Sequence, residues 1–197
     1  MNRKLILSSA AMLSVSVAAA IFAPAFAQGR PDTKALIAAQ KQAMAPLAYM
    51  DGEWRGTAIT TLPDGSKHSI TQTERIGPLL DGSVRVIEGR GHEPDGRISF
   101  NAFGIVYFDS ARQVLRFQAH AMGMSGDYSF TPTADGYIWE IPAGPVAIRY
   151  TTTIHGDHWH EVGDRIMPGM PEQRFFEMNL KRIGDSTWPA AGAVAPK

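Results

Sequence analysis

The densest run of chemistry-bearing side chains is His155-Gly156-Asp157-His158-Trp159-His160-Glu161. Gly156-Asp157 reads as a hairpin turn, after which His158 and His160 stand two apart and project to one face of a strand. That spacing lets two imidazoles share a metal ion, with His120 or Glu161 as a third ligand. A softer set lies in His120-Ala121-Met122-Gly123-Met124 and Met167-Pro168-Gly169-Met170, where thioether sulfur with imidazole suits Cu(I). The plain alternatives are a solvated hairpin tip for the histidines and adaptable apolar filling for the methionines. The alternation of Leu115, Phe117, Ala119 and Ala121 bears on the copper set. If that face lines the core, His120 looks outward and the set loses a ligand.

Acid/base chemistry would need carboxylates that converge. Glu74, Glu88, Glu140 and Glu177 are strand carboxylates that would serve if two met inside and burial raised one pKa. The chain has no cysteine, no Gly-x-Ser-x-Gly elbow and no His-Glu-x-x-His helix. No catalytic residue is assigned, and binding is expected in preference to catalysis. A barrel enzyme with a carboxylate pair stays as an alternative, beside a Cu or Zn protein.

Non-covalent binding of a small apolar or amphipathic molecule has the broadest support. Phe100, Ala102, Gly104, Val106 and Phe108 share one strand face, and Asn101, Phe103, Ile105 and Tyr107 the other. Arg149 shares a face with Thr151 and Thr153, opposite Ile148, Tyr150, Thr152 and Ile154. An interior bearing Tyr, Thr and an occasional Arg would take a ligand with an apolar body and a polar head, and Tyr107, Arg149, Thr151 and Met178 are the expected ligand-binding residues. A filled core that binds nothing fits the same residues. No cofactor is required.

These side chains must be carried on strands. Asp-Gly pairs at Asp64-Gly65, Asp81-Gly82, Asp95-Gly96 and Asp135-Gly136 supply the turn chemistry of tight hairpins. Between them, runs rich in Val, Ile, Thr, Phe and Tyr predict about ten strands: Glu53 to Leu62, Lys67 to Ile76, Ser83 to Gly91, Arg97 to Phe108, Val114 to Ala121, Asp127 to Pro132, Tyr137 to Ile141, Val146 to His155, His158 to Ile166, and Gln173 to Ile183. Sequential hairpins without long crossovers predict an all-β, up-and-down antiparallel barrel, whose closure removes exposed sheet edges. Ahead of it, Asp32 or Thr33 caps a helix with Leu36, Ala39, Ala43 and Leu47 at near-helical spacing, and Pro46 ends or kinks it. Its expected role is to cover one barrel mouth.

Arg3-Lys4, the uncharged run Leu5 to Ala23, and Ala25-Phe26-Ala27 before Gln28 have the order of a cleavable signal peptide, residues 1–27, cut after Ala27. The expected product is periplasmic or secreted, with residues 28–46 as helix and linker, 47–183 as the barrel and 184–197 as a disordered tail. No membrane anchor is expected after cleavage. Once Arg3 and Lys4 leave, 17 of the 19 basic residues face 19 acidic ones, a balance that gives no electrostatic case for nucleic acid. Without disulfides, one domain must rest on its own core.

Tyr49-Met50-Asp51-Gly52-Glu53-Trp54-Arg55-Gly56 at the start and Phe176-Glu177-Met178-Asn179-Leu180-Lys181-Arg182 at the end resemble the first and last strands of the calycin barrels, the lipocalins and their relatives. The resemblance implies that Trp54 lies across the closed end and that Arg182, which shares a face with Phe176, Met178 and Leu180, packs over its ring. Both residues are then structural. The region from Leu47 to Ile183 is also similar to a bacterial group of exported single-barrel proteins of unknown function. That likeness rests on Gly52-Glu53-Trp54-Arg55-Gly56, Arg75-Ile76-Gly77-Pro78-Leu79-Leu80-Asp81-Gly82 and Phe103-Gly104-Ile105-Val106-Tyr107-Phe108-Asp109. The nitrobindin-like haem barrels share a Trp-x-Gly start but carry a proximal His on a late strand. The last strand here, Gln173 to Ile183, contains no His.

Overall fold

The computed structural model describes residues 32–186, so the expected leader and all but the first residues of the expected tail lie outside the described residues. The side chain of Asp32 accepts hydrogen bonds from the backbone N–H groups of Lys34 and Ala35 and starts α1, Thr33–Met44. Pro46 cannot continue an α-helix, and the chain tightens into a 3-10 turn over Ala45–Met50. Leu36 and Ile37 of α1 are exposed, and the helix buries only Met44. The cover on the barrel comes mainly from the 3-10 turn, whose Leu47 and Met50 are buried in the core.

Ten antiparallel strands follow: β1 Gly52–Thr61, β2 Lys67–Leu79, β3 Val84–His92, β4 Ile98–Asp109, β5 Val114–Ala121, β6 Met124–Pro132, β7 Gly136–Ala143, β8 Val146–His155, β9 His158–Ile166 and β10 Gln173–Gly184. Each pairs with its sequence neighbours, and β10 returns to pair with β1, closing the barrel. β2 runs three residues beyond the expected end at Ile76, and β6 starts three before the expected Asp127. Gly65, Gly82 and Gly96 take the positive φ that their turns require. Gly136 does not turn. It begins β7 pressed against the carbonyl of Thr152, where a Cβ would collide with backbone.

At the seam, Trp54 stands directly across from Arg182. The Arg182 guanidinium is taken up by the carbonyl of Asp51, at 3.3 Å from Nη2, and by the carboxylate of Asp185, and it lies beside Gly52. The ring packed edge-on against Trp54 is Trp159, with centroids 5.6 Å apart. Closure by these two strands therefore holds, while the contacts that fix Arg182 are with the chain entering β1 and with Asp185 just after β10.

Hydrogen bonds lock the 3-10 turn into the end of the barrel where β1 begins. Trp54 Nε1 donates to the carbonyl of Met50 at 3.0 Å, and the Tyr49 hydroxyl to the carbonyl of Gly136 at 2.9 Å. Arg85, 4% exposed, donates to both carboxylate oxygens of Asp51 and to the carbonyl of Met44. A guanidinium that far from water is tolerated because these acceptors replace its hydration. Lys41 pairs with Asp81, tying α1 to the β2–β3 turn. This end of the barrel is shut.

Candidate functional site

A cavity of about 470 Å³ runs from the opposite, open end down to the buried aromatic floor. It exists because residue size is unequal around the inward face. On β3, β4 and β5 the inward positions include Gly89, Ala102, Gly104, Ala119 and Ala121 among the larger Ile87, Phe100 and Phe117, whereas β6 to β10 contribute Phe130, Tyr137, Trp139, Tyr150 and Phe176. These small residues leave the space that the rings opposite do not fill, and Phe117 of β5 joins the aromatic side. The aromatic wall is stiffened by its own contacts: Trp139 stacks on Tyr150 at 4.3 Å and meets Phe117 edge-on at 5.2 Å. The volume lies within the range of small-molecule sites.

Two carboxyl groups sit deep in this apolar enclosure. Glu74 comes from β2 and Glu161 from β9, on inward positions set by their pairing with Trp54 and Met178 respectively. Glu74 Oε1 accepts from Gln72 Nε2 at 2.7 Å, and Glu161 Oε2 accepts from the Thr152 hydroxyl at 2.5 Å. Burial pushes the Glu74 carboxyl up to about 8, an effect that the Gln72 hydrogen bond opposes and the Glu161 charge reinforces. Burial likewise raises Glu161 to about 7, against hydrogen bonds from Thr152 and Trp139. Glu74 is partly buried and keeps part of its surface open to the cavity. Room for its carboxylate comes from Gly89, where a Cβ would lie 2.6 Å from Oε1. Trp159, which lines the same floor and is 3% exposed, has an indole N–H without an acceptor.

The residues expected to bind ligand are divided by the barrel wall. Met178 lines the cavity. Tyr107, Arg149 and Thr151 do not, because the inward face of β4 is the Gly104–Val106 face and that of β8 is the Tyr150–Thr152 face. Tyr107 donates its hydroxyl to Asp127 at 2.7 Å, and Arg149 is held by Glu140 and Glu172. Of the four expected carboxylates only Glu74 points inward. Glu88, Glu140 and Glu177 are engaged by Arg75 and Arg90, by Arg149, and by His160. The inward partner is Glu161, weighed from the sequence only as a metal ligand. Its parity with Trp159 against His158 and His160 was the signal that could have found it.

The expected metal ligands do not assemble. His158 and His160 do share the outer face of β9, where they pair with Asp157 at 3.2 Å and Glu177 at 3.1 Å. His120 is on the outer face of β5, opposite Phe103 and Ser125 of its own neighbours, four strands away from β9 in the sheet order. Among the described residues no group of three or more His, Cys, Asp or Glu side chains could hold a metal ion. Outward parity separates His120 from the interior, and turning Glu161 inward removes the other third ligand.

No family model and no curated protein sequence matches the chain. Among solved structures, the crystal structure of Rv2717c from M. tuberculosis is similar, with a TM-score of 0.54 and 16% sequence identity over 72% of this chain and 97% of that one. At that identity the likeness is one of fold.

Proposed function

We propose that this protein is an exported, lipocalin-like barrel that binds a small, largely apolar or amphipathic molecule non-covalently in its cavity. The observation that carries this reading is the 470 Å³ hollow between a Gly/Ala wall and an aromatic wall, open at one end and plugged at the other. Burying apolar ligand surface against those rings contributes on the order of 25 cal/mol per Å², before the losses of association. The lipocalin-like label draws support from Trp54 facing Arg182 across the closing seam. Export rests on the order of residues 1–27.

The test is titration with the uncharged dye N-phenyl-1-naphthylamine, followed by dye emission and by quenching of Trp139 and Trp159. Saturable, one-to-one binding is expected, weakened at least tenfold by Ala119→Trp, which fills the gap from the small-residue wall. Native mass spectrometry of protein taken from its own compartment should show added mass. A chain that neither carries such mass nor binds the dye would end this reading.

A further inference from the structure

Glu74 and Glu161 are the polar feature of the cavity that ligand burial alone leaves unexplained. Glu88, Glu140, Glu177 and Asp164, on strands of the same barrel, each meet an arginine or a histidine. The two floor carboxyls meet only neutral donors, Gln72 and Thr152, with Trp139 beside Glu161. No Lys, Arg or His among the described residues forms an ion pair with either. A buried carboxylate without a countercharge is costly, and two that feel each other are costlier still. A glutamine or leucine at either place would fill the same volume without that cost. The unmet N–H of Trp159 is a separate polar group at the floor: as a donor it calls for an acceptor, which an ammonium does not carry.

The walls above the pair add a compatible preference. Trp139 and Tyr150 line the cavity as a stacked pair, and ring faces of this kind attract cations as well as flat apolar bodies. Arg85, the nearby buried cation of the shut end, is already bound to Asp51 and Met44.

Resting on the cavity reading above, we infer that the ligand class is a small flat amine, entering apolar body and all, whose ammonium group is received between Glu74 and Glu161 at the floor. The ligand supplies the countercharge that the fold omits. On binding, a proton still held by the pair leaves to solvent as one ammonium enters, so that a cation is exchanged for a proton. The other titratable groups acting on the pair are Glu88 through the β3 wall, and it raises Glu74 further. Tyr137 and Tyr150 from β7 and β8 are raised by burial first and by the Glu161 charge second, and stay neutral throughout.

A charge series on one ring system tests this: 1-naphthylmethylamine, 1-naphthylmethanol and 1-naphthylacetate, titrated into the full chain at pH 7.5 by calorimetry in two buffers of different ionisation enthalpy. The amine should bind at least tenfold more tightly than the alcohol and release protons, and the acetate should bind weakest. In Glu74→Gln/Glu161→Gln the amine should lose that advantage, while N-phenyl-1-naphthylamine still binds. If the dye binds the native protein but the charge order is flat or reversed, or none of the three binds, the amine inference is overturned and the cavity reading survives. If the dye itself does not bind, both fall. Should the double variant not fold, the native charge order and the proton release decide alone.

Discussion

The carboxylate of Glu74 lies over the bare α-carbon of Gly89 on the neighbouring strand, so close that a β-carbon there would come within 2.6 Å of Oε1. The collision is with the free end of a flexible side chain, which can swing away. Gly89→Ala should therefore leave stability within about 1 kcal/mol of native while breaking the Gln72 hydrogen bond and shifting the Glu74 titration. By contrast, a Cβ at Gly136 or Gly56 meets the carbonyl of Thr152 or Asn179 in fixed backbone. Either alanine variant should lose about 1–3 kcal/mol or more by urea denaturation.

Stability should fall as pH rises. Both floor carboxyls have folded pKa values, about 8 and about 7, above the ordinary value of 4.5. Between those limits the folded state binds more protons than the unfolded one, so stabilisation is fully present below about pH 4.5 and is lost on passing pH 7 to 8. Each group contributes a downward slope of at most about 1.4 kcal/mol per pH unit. Urea midpoints from pH 5 to about 8.5 should show the decline, and Glu74→Gln/Glu161→Gln should flatten it and exceed the native stability at the alkaline end. A native profile that rises over this range would contradict the burial of the pair.

Arg85 joins the plug to the barrel. Arg85→Ala should destabilise the protein by about 2–3 kcal/mol, below the usual figure for breaking a fully buried pair because Asp51 remains 28% exposed. Arg85→Lys should not restore it, since one ammonium cannot meet both Asp51 oxygens and the Met44 carbonyl. Thermal unfolding followed by far-UV dichroism checks both.

Trp54 is 1% exposed and packs on Trp159 at the seam. Trp54→Ala should cost about 3–5 kcal/mol, the range for deleting a buried aromatic ring. Arg182→Ala should cost less, because its partners Asp51 O and Asp185 lie where water can replace it.

The outward histidines should be dispensable. His120→Ala, His158→Ala and His160→Ala should each stay within about 0.5 kcal/mol of native, and equimolar zinc should not raise the melting temperature. A zinc-dependent rise abolished by His158→Ala would restore a metal role.

Turn chemistry and alternation made the ten strands legible because both are local: Asp64-Gly65 and Asp95-Gly96 signal hairpins wherever they occur, and a half-buried strand advertises its two faces. Closure was legible too, from the residues that open and end the sheet. Alternation, however, sorts residues into two sets without saying which set is inside. On β8 Val146, Ile148, Tyr150, Thr152 and Ile154 form the more apolar set, so that face was favoured for the interior, and the expectation of Arg149 and Thr151 as ligand-binding residues ran against it. On β9 Trp159 and Glu161 turned inward and the histidines outward.

The amino-acid order by itself determined an all-β barrel of sequential hairpins, with Trp54 and Arg182 on its closing strands, since these follow from short-range patterns. Only the tertiary structure decided that the hollow stays open, that the 3-10 turn shuts one end, and that Glu74 and Glu161 share its floor. Those outcomes depend on summed side-chain volumes across β3 to β5 against β6 to β10, and on strand pairings that bring Glu74 to one floor with Glu161, nearly ninety positions further along the chain. No local pattern encodes such a sum.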